Sequence, residues 1–501
     1  MNVERTPVLI VGGSVVGASA ALFLAARGIS PVLVEKHPSV STRLRAKVFY
    51  PRTMEAYRAV GADQDVYARQ HSLPPADHAA VVESLAGPEL RRWLLPAARD
   101  FSDVSPSPSA LVKQADLEEI VRAHAREHGA DLRFGHRFLD LARHDDRVVA
   151  RVLDAEGEPY LVEAGYLLAA DGNGSGIRES LGIGRTGEDV VSHVREIGFE
   201  ADLRGVLAGR RLAMAWAGPA FVSWSTAQDR GAVSVPAAPG VDVDAEAVVS
   251  QALGLPSAAV TITGSRPWRM SGWVADAYRA GRVFLLGDAA HVTPPVGGFG
   301  ANAGIQDAWN LAAKLVSILR DGASPRLLDS YEPERRPIGE LTVAQAVSRV
   351  GDRGGEHLSE AAVAVGYRYP SPLTDGPLAD EPGRWRGEPG TRLPHVWLNG
   401  SSTLDLVRDG RYLLLTTDDS QVPDTAADVV RLPRDADRFG IENGGALLVR
   451  PDHVVAWRGS APRRAPASDT AGHGVAALPV TLLRPPVPGA RFRRSPAWRP
   501  C

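Results

Sequence analysis

Three glycine-rich turns hold most of the residue types in this chain that could do chemistry with a large ligand. The first is VGGSVVGAS, residues 11–19, where Gly12, Ser14 and Gly17 fall on the G-x-G-x-x-G spacing with serine in the middle place. In such a turn the first glycine permits the tight bend, the second lets backbone approach a pyrophosphate, and the third lets helix and strand pack closely. A serine adds only a small side chain, whose hydroxyl can turn outward or donate to a phosphate oxygen, so Ser14 is expected to be tolerated. Glu35, 23 positions after Gly12, is placed to accept hydrogen bonds from ribose hydroxyls. The second turn, ADGNGSGIR at 170–178, sets Asp171, Gly172, Ser175 and Arg178 in a D-G-x-x-S-x-x-R pattern. The third, GDAAHVTPPVGGFGAN at 287–302, offers the carboxylate of Asp288 and the backbone amides around Gly297, Gly298 and Gly300 ahead of a helix N-terminus.

These turns need rigid elements behind them. Pro7 to Val11 reads as a buried parallel strand, Ala18 to Arg27 as a helix stopped by Gly28, and Pro31 to Val34 as a second strand, which together make a βαβ unit. Residues 114–129 show helical spacing at Leu117, Ile120, Val121 and Ala125. Arg147 to Leu153 and Tyr160 to Leu168 read as strands, the latter running into the second turn. Residues 190–270 switch to short strands mixing aromatic and small residues, the mark of a separate antiparallel layer. The run before Asp288 is again a buried strand, and Ile305 to Leu319 a long helix. A Pro/Gly-dense crossing at 370–394 leads to further strands and then an irregular tail.

At 501 residues the chain has room for about three domains of roughly 150 residues each. Its charges nearly cancel, net −3, which removes any electrostatic reason to expect nucleic acid or an anionic membrane as partner. The single cysteine, Cys501, excludes an intrachain disulfide, a cysteine-ligated metal cluster and a Cys-x-x-Cys redox pair. No metal site is expected. No apolar run approaches the roughly 18 to 20 residues needed to span a bilayer, and a cytoplasmic protein is expected.

Phosphate-binding amides at one end, a carboxylate for a polyol in the middle and amides for a polar ring at the other suit one long ligand, FAD, held without a covalent bond. The three turns in this order resemble those of the PHBH-type (group A) FAD-dependent aromatic hydroxylases, over about residues 7–345. RAKVFYPRTMEAYRAVG at 45–61 and YEPERRP at 331–337 look like further segments of that family. Residues 390–459 are similar to the thioredoxin-like C-terminal domain of its larger polyketide hydroxylase members, without redox cysteines. Ser14 for glycine, Tyr50 where many relatives carry Asn or His, and Trp309 where many carry His are departures.

The resemblance implies an α/β fold. A Rossmann-like FAD-binding domain would occupy 1–180 and 275–370, with substrate-domain segments at about 70–110 inserted. An antiparallel substrate domain would fill 181–274, a linker 371–389, and a thioredoxin-like domain with tail 390–501. It also implies cofactor roles: Gly12, Ser14, Val15 and Val16 at the pyrophosphate, Glu35 at the adenosine ribose with Lys36 beside it, and Arg45 and Gln114 along the phosphate and ribityl region. Asp171 belongs to a motif the family links to both FAD and NADPH, and Asp288 would hold a ribityl hydroxyl. Pro295, Gly298, Gly300, Ala301 and Asn302 would lie at the flavin, the last three facing its pyrimidine edge, where amides stabilise negative charge on the reduced ring. Tyr50, Trp224, Trp273 and Phe299 are candidates for a substrate pocket, though each reads first as a core side chain.

The implied activity is oxygenation of a polycyclic phenol or quinone through a flavin hydroperoxide, with NADPH or NADH docking transiently because no second dinucleotide fold is present. A Baeyer–Villiger or epoxidising oxygenase uses the same turns, and so would a flavin-binding partner protein without turnover. A monomer or homodimer is expected. His291 reads as a structural histidine, and no general base stands out.

Overall fold

The computed structural model describes residues 3–39, 45–71, 76–351, 357–418, 427–432, 436–442 and 444–460. The tail and Cys501 lie outside the described residues. Two eight-stranded sheets and a smaller four-stranded one carry the chain.

The first sheet is built on parallel strands β1 (Val3–Val11), β2 (Val32–Glu35), β5 (Asp131–Phe134), β8 (Pro159–Ala169) and β15 (Val283–Leu285), in the order β15-β8-β1-β2-β5. The antiparallel strands β6 (Arg137–Arg143), β7 (Val148–Leu153) and β14 (Arg279–Ala280) extend it. Val8 to Val11 are almost wholly buried, as a central parallel strand covered on both faces requires. Helix α1 (Val15–Ala25) is apolar all round because it lies between this sheet and two neighbours, α4 (Gln114–Glu127) and α8 (Phe299–Leu319). Helices α2 (Pro51–Arg58) and α3 (Asp63–His71) follow the first βαβ unit. The turn helix α5 (Gly176–Ser180) follows β8, and α9 (Tyr331–Gly351) packs on α8.

The turns at Gly12, Glu35, Asp171 and Asp288 directly follow β1, β2, β8 and β15, so all four leave the same edge of the sheet. That is the carboxyl edge, where open α/β sheets bind ligands.

The second sheet runs β16-β13-β9-β12-β11-β10-β3-β4. It contains β9 (Arg185–Glu200), β10 (Leu212–Ala217), β11 (Ala220–Trp224), β12 (Arg230–Pro236), β13 (Thr261–Ala275) and β16 (His291–Val292), joined by β3 (His78–Val82) and β4 (Glu89–Leu94) from the earlier segment. Helices α6 (Arg204–Leu207) and α7 (Ala245–Leu253) cover one face around Ile197, Phe199, Val222 and Trp224. Two of these strands are not short: β9 has 16 residues and β13 has 15. Much of their length is exposed, so charged residues interrupt the apolar alternation, and register shifts at Ile262/Gly264 and Met270/Gly272 break its period.

The C-terminal module pairs β17 (Trp397–Leu398) with β18 (Ser401–Ser402). Its main sheet is β20 (Asp428–Arg431), β19 (Leu413–Thr416), β21 (Gly445–Val449) and β22 (Val455–Ser460), with β19 and β20 parallel. Among the described residues its helices are 3-10 turns.

Candidate cofactor cleft and substrate face

The first turn shows why two of its three positions must be glycine and one need not be. Gly12 has φ +106°, and a Cβ there would stand 2.2 Å from the carbonyl oxygen of Ala170; at Gly17 it would stand 1.9 Å from that of Gly12. Ser14 is the N-cap of α1 at φ −73°, ordinary extended backbone. Its hydroxyl neither caps the helix nor turns outward: it donates to Glu118 Oε1 at 2.6 Å. The same oxygen accepts from Val15 N at 3.0 Å and from Gln114 Nε2 at 2.8 Å, while Gln114 also reaches Ser14 Oγ at 3.1 Å. Arg122 donates to the Gly13 carbonyl at 2.6 Å and lies 3.3 Å from Glu118. A carboxylate thus sits at the positive end of α1, backed by an arginine. Glu118 and Arg122 were not singled out in the sequence. The available signal was polar residues at i, i+4 and i+8 from Gln114, one face of α4.

Glu35 accepts from Gly13 N at 2.6 Å and from His37 N at 2.9 Å. Burial alone would raise its pKa, yet these donors and the His37 ring hold it below the usual carboxylate range. Arg45 is exposed, with Nη1 3.5 Å from Ser14 Oγ, and Lys36 is exposed. Val16 packs on the third turn, where a Cβ on Gly287 would lie 2.9 Å from its Cγ2.

Asp171 receives Ile177 N at 3.2 Å on Oδ2, while its Oδ1 is buried with no partner among the described residues. Burial raises its pKa. The side chain of Asp288 is exposed to solvent, but it stands in a recess whose walls still desolvate it enough to raise its pKa, against the pull of His291 and Arg45. The turn carrying Asp288 is fixed from below by Asp307, wholly buried, which accepts from Gly287 N at 3.0 Å, from Arg335 Nε at 2.7 Å and faces His291 Nε2 at 2.8 Å. His291 is the structural histidine expected; Arg335, from the segment at 331–337, was not foreseen in this role.

Gly298 caps α8 at φ +68°, and a Cβ on Gly300 would meet Thr293 Oγ1 at 2.6 Å. Pro295 is exposed at this turn, and Ala301 is half-buried. Asn302 is buried and ties the turn to residues 48–53: Oδ1 accepts from Tyr50 N at 2.9 Å and Thr53 Oγ1 at 2.7 Å, and Nδ2 donates to Val48 O at 3.0 Å and Gly298 O at 2.8 Å. Tyr50 is buried, donates to Gly297 O at 2.9 Å and stacks with Phe299 at 6.5 Å.

The structure separates the two tryptophans from this pair. Trp224 packs in the core of the second sheet. Trp273 is 1% exposed, between the guanidiniums of Arg178 at 4.7 Å and Arg185 at 5.0 Å. A different set of side chains, Trp93, Met214 and Trp216, lies on the opposite face of the second sheet from Trp224, and Leu111 packs both on their cluster and on the cluster that holds Tyr50 and Phe299. Trp93 and Trp216 stack at 5.6 Å, and Phe221 joins Trp216 at 5.1 Å. Their signal was the alternation along residues 212–217, which puts Trp216 on the face away from Ala215 and Ala217.

A glycine turn at a helix N-terminus, with Asp171, Asp288 and a further glycine-rich helix start leaving the same edge of a parallel sheet, is the arrangement of a dinucleotide-binding flavoprotein. Comparison with known proteins agrees. A model described as "FAD binding domain" matches residues 5–346, and one described as "Aromatic-ring hydroxylase, C-terminal" matches 386–477. The chain is 36% identical to a 4-methyl-5-nitrocatechol 5-monooxygenase from Burkholderia sp, over 91% of this chain and 94% of the relative. It is equally identical, with the same coverage, to a tetracenomycin A2 monooxygenase-dioxygenase from Streptomyces glaucescens. A solved ternary complex of aklavinone-11 hydroxylase with FAD and aklavinone superposes with a TM-score of 0.84 at 33% identity, covering 92% of this chain and 97% of that one. The chain belongs to this family, the FAD-dependent aromatic-ring monooxygenases of the PHBH type. No described helix is long and apolar enough to cross a membrane.

Proposed function

We propose that this FAD-dependent monooxygenase uses NADPH or NADH and O2 to hydroxylate a planar, polycyclic phenol or quinone of the polyketide kind. The observation that carries the substrate class is the half-exposed aromatic face of Trp93, Trp216 and Phe221 on the second sheet, a flat apolar surface. Relatives named for tetracenomycin and aklavinone support it.

The residues of the cleft fit FAD. Asp171 Oδ1 is a buried acceptor in want of a donor, and Gly12 and Gly17 clear backbone that side chains would block. Bound FAD would supply the redox chemistry and the activation of oxygen. The turn after Gly12 would meet its pyrophosphate, with Gly13 N held by Glu35 and Val15 N by Glu118 beside it, Glu35 would meet the adenosine ribose, Asp171 and Asp288 its hydroxyls, and the amides of Gly300 to Asn302 the ring edge. Gln114 and Arg45 would complete the phosphate side. The body 1–180 with 275–370 holds this cleft, and 181–274 with the strands from 70–110 forms the substrate side. We read the enzyme as cytoplasmic, where nicotinamide reductant is available, and as a monomer or homodimer.

The test incubates enzyme, NADPH, labelled dioxygen and a panel of phenols and quinones of one to four rings. One labelled oxygen on a ring carbon of a fused-ring compound is expected. Label inserted beside a carbonyl would replace hydroxylation by a Baeyer–Villiger reaction. A second reading, a single-ring nitrophenol substrate, is favoured by the nitrocatechol relative, and turnover confined to one-ring compounds would select it.

A further inference from the structure

Lys47 is a positive charge with no counter-ion. Its Nζ donates to Trp224 O at 3.0 Å and lies 3.5 Å from Ala213 O, at the ends of β11 and β10 nearest the cofactor body. Among the described residues no carboxylate stands within ion-pairing distance. The nearest charge acting on it is another cation, Lys113, at the start of α4. The next residue, Val48, gives its carbonyl to Asn302, which also holds Gly298. The ammonium therefore stands at the seam between the turn assigned above to the flavin ring and the sheet assigned to the substrate.

Two main-chain carbonyls are weak compensation for a half-buried ammonium, which has three donors to place. Burial, and after it Lys113, pushes the Lys47 pKa down to about 8, so the site gains from any anion that arrives. The walls restrict what that anion is. Ala213 belongs to the cluster against which the half-exposed rings of Trp93 and Trp216 pack, while the Trp224 ring, 6.0 Å from Nζ, is buried in the core on the other face of the sheet. The groups assigned above to the phosphate side, Arg45 and Gln114, turn to Ser14, whereas Lys47 turns to β10 and β11. A flat aromatic anion satisfies both the charge and the walls.

We propose that Lys47 is a substrate-binding residue that pairs with an ionised phenolic oxygen of the aromatic substrate. This rests on the aromatic-hydroxylase reading above. Binding then selects the phenolate: the phenolic proton leaves to bulk water, no covalent bond to the protein forms, and the ring enters the site more electron-rich. Lys113 adds to the same field from α4, while β10 and β11 present only carbonyls to Lys47.

The experiment uses full-length, FAD-loaded protein without reductant and two probes whose visible absorption shifts on ionisation, 4-nitrocatechol and 1-hydroxyanthraquinone. Binding is read from the flavin spectrum and ionisation from the probe spectrum, across pH. In the wild type the bound phenol should ionise at least about one pH unit below the free phenol, a tenfold gain in acidity. Lys47→Met and Lys47→Gln should bind the probe with its free ionisation restored, and Lys47→Arg should keep the shift. With a turned-over substrate the two neutral variants should raise KM for the phenol more than they lower kcat. An equal shift in the wild type and Lys47→Met overturns the proposal, and so does loss of FAD rather than of the shift, which would make Lys47 a cofactor ligand. If neither probe perturbs the wild-type flavin, the phenol reading of the substrate falls first and this proposal with it.

Discussion

The cofactor body meets its two neighbours in opposite ways. Toward the C-terminal module it is stitched by charge: Arg58 pairs with Asp405 at 2.7 and 2.9 Å, Glu55 with Arg392 at 2.7 Å, and Glu334, itself paired with Lys314 of α8, with Arg450 at 2.6 Å. Asn310 reaches Asp452 at 3.2 Å, and His453 packs edge-on against Trp309. Toward the second sheet, whose own half-exposed rings include Trp93 and Trp216, it presents Lys47 on main-chain carbonyls and an exposed Asp288. One junction has its charges matched within the chain; at the other, Lys47 has no carboxylate within ion-pairing distance among the described residues and Asp288 is exposed, which leaves both for a ligand. Damage to the first should therefore appear as lost fold, and damage to the second as lost ligand.

The largest test removes the stitched junction. A chain ending at residue 389 takes Arg392 from Glu55, Arg450 from Glu334 and Asp405 from Arg58, at about 3–5 kcal/mol for each of the first two, buried, pairs against a total stability of about 5–15 kcal/mol. It should yield no soluble flavoprotein, and a soluble, FAD-containing truncation would erase the contrast between the junctions. Glu334→Ala should destabilise by about 3–5 kcal/mol, read by denaturant midpoint, because Lys314 keeps only Asn310 as a partner.

Asp288→Ala acts on the open side. It should weaken FAD binding by about 1.5–3 kcal/mol, the worth of a charge-assisted hydrogen bond, with little change in the unfolding midpoint of the apoprotein. Acid acts on the stitched side. Burial, then Arg27 and Arg392, holds His453 neutral with its pKa down to about 3, and burial with Arg392 pushes His395 down to about 4. Below about pH 6.5 the unfolded chain takes up protons that the folded chain refuses. Stability should be full above that pH and fall on acidification, by about 2 kcal/mol at pH 5 from His453 alone. His453→Gln should flatten that slope. The smallest effect is Ser14→Gly, about 1 kcal/mol, because the hydroxyl anchors Glu118 rather than a phosphate; no change at all in FAD affinity or stability would make that hydrogen bond idle.

The order of strand, turn and helix around Gly12, and the strands ending at Asp171 and Asp288, were legible in the sequence because each is local. Glycine need, apolar runs and helix stops act over fewer than about ten residues. The family followed from three such turns in order. The length of β9 and β13 was not legible, since half of each strand faces water and carries charges that mask the alternation. The match of Arg392, Asp405 and Arg450 to acids and bases more than a hundred residues away was not legible either.

The turn at Ser14 divides the two kinds of information. The sequence alone determined that a side chain is tolerated there, because Ser14 needs no positive φ, while Gly12 and Gly17 are pressed against backbone that any Cβ would strike. What the hydroxyl does was decided only when α4 docked and brought Glu118 within 2.6 Å from 104 residues away. The same holds for Lys47 and for Trp216 stacked on Trp93. Their chemistry depends on which distant surfaces the fold sets beside them, and a hydrogen bond or an unpaired charge is defined by a distance in space that spacing along the chain does not contain.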